Sequence, residues 1–331
     1  MTPPIRLRPA RARDWDAVVA AHPAGTPFHL AGFLTTVGRC LGLQVHLTLA
    51  EADGEVIGAV PLLVRSVGPL ALVNHRLPFP YLGPLLSPGY GPESVLPAVR
   101  RYLRPQPVLS LAVQSVDPFP APAGPGWTYD PGYDSSVMTV AGKDDDELMA
   151  MLSSNRRTRL RRALRRGVTA GPATREELVE HLPRWSAEAF ERQGLPPRWP
   201  DGAHAALYDA LAPTGVVLSS AVRQGDQLLL VSFDLLFGDR LIGWEIGNSA
   251  AGRAADATLV LYLHLARRAR DAGAGLVDLL GSPNENIAEF KRSIGAAPRP
   301  RGMARWDSPL LPVGKRLVRQ HWLRPVVGAT S

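Results

Sequence analysis

LTLAEADGEVIGAV, residues 47–60, and LSSAVRQGDQLLLV, residues 218–231, read as one pattern written twice. Leu47, Ala50, Gly54 and Val60 fall on Leu218, Ala221, Gly225 and Val231 at a constant offset of 171 residues. Each stretch is a pair of strand-like runs joined by a short polar turn, Asp53-Gly54-Glu55 in one and Gly225-Asp226-Gln227 in the other. Glycine and aspartate between such runs are the chemistry of a β-hairpin, because the tight turn needs left-handed backbone. Downstream, each half carries a helix-like segment with paired arginines, Arg100-Arg101 and Arg267-Arg268, and then an apolar strand beginning at Leu109 or Leu276. The matching order of elements predicts two copies of one α+β unit, with the junction near Gly124–Asp134. Domains are accordingly expected at 1–130 and 131–308, followed by a tail, 309–331, in which Leu311 to Arg324 reads as an amphipathic helix.

Outward from the hairpins, further strands are expected at 5–8, 70–73, 108–113, 136–140, 240–246 and 276–280. Helices are expected at 13–21, 30–41, 93–103, 145–166, 175–192, 203–211, 257–272 and 285–294. The stretch PFPYLGPLLSPGYGP, Pro78 to Pro92, is too rich in proline for a central strand or a helix and reads as a long rigid loop.

Composition narrows the class. The chain has 331 residues, 45% of them apolar, which supports a large core and about two domains. The longest apolar stretch, Ala257 to Ala266, is interrupted by His264 and falls far short of a membrane span, so no membrane insertion is expected. Cys40 is the single cysteine, which rules out a disulfide framework within the chain. The eight histidines show no metal-ligand spacing, and no metal is expected. The opening MTPPIRLRPARARDWD has no apolar run of the secretory kind, and a cytoplasmic protein is expected. The net charge of +7 favours polyanionic partners.

Several segments resemble FemAB/CelD-type proteins of the GNAT acyltransferase superfamily. They are the opening from Trp15 to His29, the loop PFPYLGPL (Pro78 to Leu85), the arginine helix NRRTRLRRALRRG (Asn155 to Gly167), and the closing pattern VDLLGS…FKRSIGA (Val277 to Ala296). The resemblance covers the chain up to about Trp306. It implies two tandem GNAT folds, a site between or beside them, and acyl transfer to an amine. Some relatives of this kind take acyl-CoA, while Fem-type peptidyltransferases take aminoacyl-tRNA.

Such a transfer needs a held donor, an amine that loses a proton and a stabilised oxyanion, but no enzymic nucleophile if attack is direct. No G-x-S-x-G, H-E-x-x-H or Walker A pattern is present. For the donor, GNAT enzymes that use CoA place a glycine-containing loop at a helix N-terminus, where free N–H groups bind pyrophosphate. Arg253 to Thr258 (RAADAT) stands in that place, with Arg253 retained but Asp256 and Thr258 where glycines would be. Arg253 and Thr258 are the expected donor contacts, with Asp256 an N-cap whose charge opposes a phosphate. The arginine helix supplies further donor contacts, Arg157 and Arg161 foremost among its seven arginines.

For catalysis, Glu245 in LIGWEIG is the expected general base. Strand alternation puts Trp244 and Ile246 on one face and Glu245 with Gly243 on the other. Asp278 is expected to orient a neighbour. Lys291, one of three lysines in an arginine-rich chain, is expected to stabilise the oxyanion or hold a donor phosphate. Asp234 and Tyr81 are the expected acceptor contacts. Three readings follow. The first is an N-acyltransferase using acyl-CoA or an acyl carrier protein as co-substrate, with a small-molecule amine as acceptor and no permanently bound cofactor. The second is an aminoacyl-tRNA-dependent peptide-bond-forming enzyme, and the third a non-catalytic polyanion-binding module.

Overall fold

A computed structural model describes residues 3–192 and 194–311. The described chain divides into two compact units, one ending at Tyr133 and completed by residues 300–311, the other spanning Asp134–Arg299. In the first unit the elements are β1 (Arg6–Pro9), α1 (Ala12–Ala21), α2 (Ala31–Leu41), β2 (Gln44–Ala52), β3 (Glu55–Val67), β4 (Leu70–Val73), β5 (Leu85–Leu86), α3 (Pro92–Tyr102), β6 (Val108–Ser115) and β7 (Trp127–Tyr129). The second unit has β8 (Asp134–Thr139), α4 (Asp145–Ala150), α5 (Ser154–Arg165), β9 (Val168–Pro172), α6 (Arg175–Glu191), α7 (Ala203–Leu211), β10 (Ser220–Gln224) and β11 (Gln227–Phe237). It continues with β12 (Arg240–Asn248), α8 (Ala250–Ala254), α9 (Ala257–Asp271), β13 (Leu276–Asp278), α10 (Glu285–Ser293) and β14 (Ala297–Pro300). A last strand, β15 (Gly302–Asp307), belongs to the first sheet.

The duplication read from the two hairpins extends to whole sheets. The first runs β1-β2-β3-β4-β6-β15-β7 and the second, from its other end, β9-β10-β11-β12-β13-β8-β14. In each, three antiparallel strands lead into a parallel pair, β4 with β6 and β12 with β13. The helix between them, α3 or α9, is the crossover that a parallel pair requires. In the β2–β3 turn Asp53 and Gly54 both take positive φ, as a two-residue hairpin of this twist demands. At Gly58 the β5 backbone comes so close that a Cβ would lie 1.9 Å from the Leu85 carbonyl oxygen.

Three expectations are corrected. Residues 302–307, assigned from sequence to the second domain, pair antiparallel with β6 and close the first sheet. Gly302, Ala304 and Trp306 point inward in alternation, and their partners lie far away in sequence, where no local pattern can show them. The single helix expected over 145–166 is two helices, because Ser153 stops one and caps the next by accepting from the Arg156 N–H. The proline-rich loop is otherwise irregular but contributes β5 to the edge of β3. The amphipathic helix expected over Leu311 to Arg324 lies, apart from Leu311, outside the described residues.

In the second unit, α4, α5 and α9 pack against one face of the sheet around a core of Leu148, Leu160, Leu230, Leu261 and Val277. Helix α6 covers the other face, with α7 packed beside it.

Candidate active site

The parallel pairing of β12 with β13 covers only Arg240 to Ile242 against Leu276 to Asp278, although β12 runs on to Asn248. From Gly243 onward β12 has therefore parted from its neighbour on that side. Glu245 lies on this parted stretch.

Here β12 carries a bulge. Phe233 of β11 pairs with Glu245 and Asp234 with Gly243, so Trp244 is an extra residue on its strand. A bulge of this kind shifts the alternation by one. Gly243 and Ile246 consequently face α9. Glu245 instead shares a face with Trp244: Trp199 lies 5.8 Å from the Trp244 ring, centroid to centroid, and donates its indole N–H to Glu245 Oε1 at 2.6 Å. The expected pairing of Glu245 with Gly243 on one face is thus overturned by one inserted residue. The second carboxylate oxygen, Oε2, lies 2.8 Å from Nε2 of His204, which is in the first turn of α7. The Glu245 side chain keeps 10% of its surface exposed and the His204 side chain 6%.

Sequence reasoning missed Trp199 and His204. The signal was available in PPRWPDGAH, 196–204, where prolines fix a tryptophan just ahead of a helix that opens after Gly202. Nothing local says that this loop reaches β12.

Asp278 and Lys291 act on one loop. Asp278 Oδ1 accepts from the Leu280 N–H at 2.9 Å, which turns the chain two residues on and leaves Leu280 at φ +61°. The Lys291 ammonium donates to the carbonyls of Leu279 (2.8 Å), Leu280 (3.0 Å) and Gly281 (2.8 Å). An ammonium has three protons, and these carbonyls account for all of them. Burial pushes the Lys291 amine down to about 8, against the opposing pull of Asp278 and Asp134. In this arrangement Lys291 ties the loop after β13 rather than presenting a proton to an oxyanion.

The donor loop is also stitched. Asn248 Nδ2 donates to Thr258 Oγ1 at 2.9 Å, and Arg253 donates to the Asn248 carbonyl at 2.7 Å. A Cβ at Gly252 would sit 2.3 Å from Asn248 Oδ1 and 2.4 Å from the Leu229 carbonyl, so only glycine permits this close approach. Asp256 stands at the start of α9 with φ +60° and makes no side-chain cap, contrary to expectation. Its carboxylate pairs instead with Arg159 and with Arg162 (3.3 Å) of α5. Burial alone would raise this carboxyl, but the hydrogen bonds and charges of the two guanidiniums outweigh it and hold the group below the usual range. The expected contacts on α5 divide otherwise: Arg157 donates to the Ala150 carbonyl at 3.2 Å and Arg161 is exposed. Arg156 stacks on Phe290 and donates to Ser293 Oγ at 2.9 Å, joining α5 to α10.

The two expected acceptor residues are interior. Tyr81, at φ +65°, is 1% exposed within the first unit, with the Arg301 guanidinium over its ring. Asp234 is fully buried on the α9 face of the second sheet, opposite to the face of Glu245.

The comparisons with known proteins agree with this architecture. A family model described as an acetyltransferase (GNAT) domain matches residues 154–292. The chain carries a GNAT acetyltransferase domain. No curated protein matches the chain. Among solved structures, FemX superposes with a TM-score of 0.73 at 15% identity, over 96% of this chain and 99% of that one. The C-terminal domain of a putative lysylphosphatidylglycerol synthetase from Agrobacterium fabrum gives 0.57 at 12% identity, over 93% and 95%. A tandem GNAT protein from the clavulanic acid biosynthesis pathway gives 0.53 at 13% identity, over 91% and 97%. The chain thus shares the fold of FemX and of a tandem GNAT protein, and the GNAT domain match falls within its second unit. Among the described residues, no helix is long and apolar enough to cross a membrane.

Proposed function

We propose that the protein moves an acyl group from an activated donor onto an amine and forms an amide. The observation that carries this reading is the carboxylate of Glu245, held on β12 where that strand has parted from β13. A parted strand leaves backbone donors and acceptors facing the gap, where an extended donor arm can add as a strand does. Glu245 is the general base for the attacking amine. Asp278 and Lys291 shape the loop that follows β13. The phosphates of a thioester donor are assigned to the first turn of α9, with Arg253 and Thr258, and those of a tRNA donor to the α5 arginines. Replacing Glu245 by glutamine is expected to lower turnover by about 10²–10⁴-fold, the usual weight of a positioned general base.

Two donors fit, an acyl thioester on CoA or a carrier protein and an aminoacyl-tRNA. One observation favours tRNA. Asp256 occupies the helix start where a CoA pyrophosphate would bind and engages two arginines there, while Arg161, Arg165 and Arg166 of the same basic segment remain exposed. A thermal-shift panel with CoA, acetyl-CoA and bulk aminoacyl-tRNA separates the two. Saturable stabilisation by CoA supports the thioester. Stabilisation by charged tRNA alone, with ribonuclease-sensitive activity, supports the tRNA. A Glu245→Gln variant as active as the parent would remove Glu245 as the base, and salt-sensitive polyanion binding with no transfer from either donor would leave only the binding module.

A further inference from the structure

We propose that His204 and Trp199 are the positioning residues of Glu245, clamping its carboxylate by both oxygens so that one fixed edge faces the amine. The inference rests on the reading of Glu245 as the base and names what makes it one.

A glutamate carried on a strand has three rotatable bonds and, in water, no fixed direction for its lone pairs. Here the carboxylate is bound twice, at 2.6 Å by the Trp199 indole and at 2.8 Å by His204 Nε2. The indole can only donate, so Oε1 is held as an acceptor. Two donors on two oxygens, from the loop before α7 and from α7 itself, fix the plane of the group. His204 is 4% exposed and Trp199 8%. The Trp199 ring also stands edge-on to Trp244 at 5.8 Å, and Phe233 lies 5.1 Å from Trp244. Charge-assisted hydrogen bonds in such apolar surroundings are stronger than in water and hold their geometry.

The clamp leaves each oxygen a lone pair on the side away from its donor. In the step it serves, the neutral amine nitrogen attacks the acyl carbon and the C–N bond forms. The nitrogen gives one proton to Glu245, the bond from carbon to the donor's sulfur or ribose oxygen breaks, and the leaving atom takes up the proton. His204 and Trp199 exchange no proton in this account. They set the direction from which Glu245 meets the nitrogen, and misplacing a catalytic group by about 1 Å costs on the order of 10²-fold.

The test uses the full chain with hydroxylamine as acceptor and, in parallel, acetyl-CoA and bulk aminoacyl-tRNA as donors, reading hydroxamate formation. With His204→Ala, kcat is expected to fall roughly 30-fold while the donor KM stays within about 2-fold. His204→Gln, which retains an N–H donor, is expected to keep kcat within about 3-fold, and added imidazole to restore part of the alanine variant's rate. Trp199→Phe, which keeps the ring and loses the donor, is expected to lower kcat by about 3–10-fold. In protein labelled with ¹⁵N-histidine, the His204 Nε2 signal, assigned from the glutamine variant, is expected to move in Glu245→Gln. A merely structural His204 would lower the melting temperature in the alanine and glutamine variants alike, with no response to imidazole. If His204→Ala does not fold, His204→Gln and Trp199→Phe carry the test. A kcat within 2-fold of the parent in His204→Ala, beside an inactive Glu245→Gln, overturns the clamp and leaves the base. An active Glu245→Gln, or no hydroxamate with either donor, overturns the base and the clamp together.

Discussion

At the scale of single residues, Asp234 makes the clearest physical demand. Its carboxylate accepts from the Ser232 hydroxyl, and its other oxygen has no hydrogen-bond partner. Burial pushes the carboxyl up to about 7, only partly opposed by Ser232, Ser220 and the charge of Arg268. In the unfolded chain the group titrates near the usual aspartate value of about 3.9. The folded state therefore holds this proton more tightly. The stabilisation is complete below about pH 4 and is lost as pH rises through about 7. Asp234→Asn keeps a neutral group of the same shape. It is expected to match the parent below about pH 4, to exceed it by about 1–2 kcal/mol at pH 5 and by up to about 4 kcal/mol at pH 8. Urea denaturation of both proteins at the two pH values checks this, and parallel profiles would refute it. The same scale shows why the site was only half legible. Residue types pointed to Glu245, Asp278 and Lys291, but their orientations did not follow. An inserted Trp244 turned Glu245 to the other face of the sheet, and three carbonyls took the ammonium of Lys291. Pattern reading assumes an unbroken alternation, and bulges are set by tertiary pairing.

At the scale of elements, α5 separates two uses of one basic run. Arg159 and Arg162, one turn apart, reach Asp256 at the start of α9. Arg161 and Arg165 stand exposed, and no ion pair with a carboxylate is seen for either among the described residues. The sequence showed the charge of this helix, but not which arginines were committed, because their partner lies nearly a hundred positions away. If the exposed arginines hold a nucleic-acid donor, replacing both Arg161 and Arg165 by glutamate weakens tRNA binding several-fold or more. It also makes the dependence of log K on log salt shallower by about 2. Anisotropy titrations with labelled tRNA between 50 and 200 mM salt, as rough working limits, measure this directly. An unchanged slope would place the donor elsewhere.

At the scale of the whole molecule, the two hairpins that share an offset of 171 residues foretold a duplicated architecture, and the strand orders of the two sheets repeat it. What composition and periodicity left hidden was the closing of the first sheet. Its sixth strand, β15, comes after the entire second unit and lies between β6 and β7. Trp306 on that strand is buried, donates to the Pro125 carbonyl at 3.1 Å, and lies under the Arg100 guanidinium at 4.2 Å. Beside it, Ser110 Oγ donates to Asp307 at 2.7 Å. A chain stopped after Arg299 would keep β14 almost whole but strip β6 of its antiparallel partner and expose the apolar face that Trp306 covers. The first unit is therefore incomplete until residues 302–307 are made. The fragment 1–133 alone is expected to remain unfolded by circular dichroism and hydrogen exchange, and to gain structure when a peptide spanning 300–311 is added. Trp306→Ala in the full chain tests the same dependence more gently. Losing a buried tryptophan costs about 3–5 kcal/mol, and the loss belongs to the first unit. Amide protection should fall across β4, β6 and β7 while β11, β12 and β13 exchange as before. Uniform loss of protection through both sheets would show the two units unfolding as one, and a fully protected fragment 1–133 would show that β15 is dispensable.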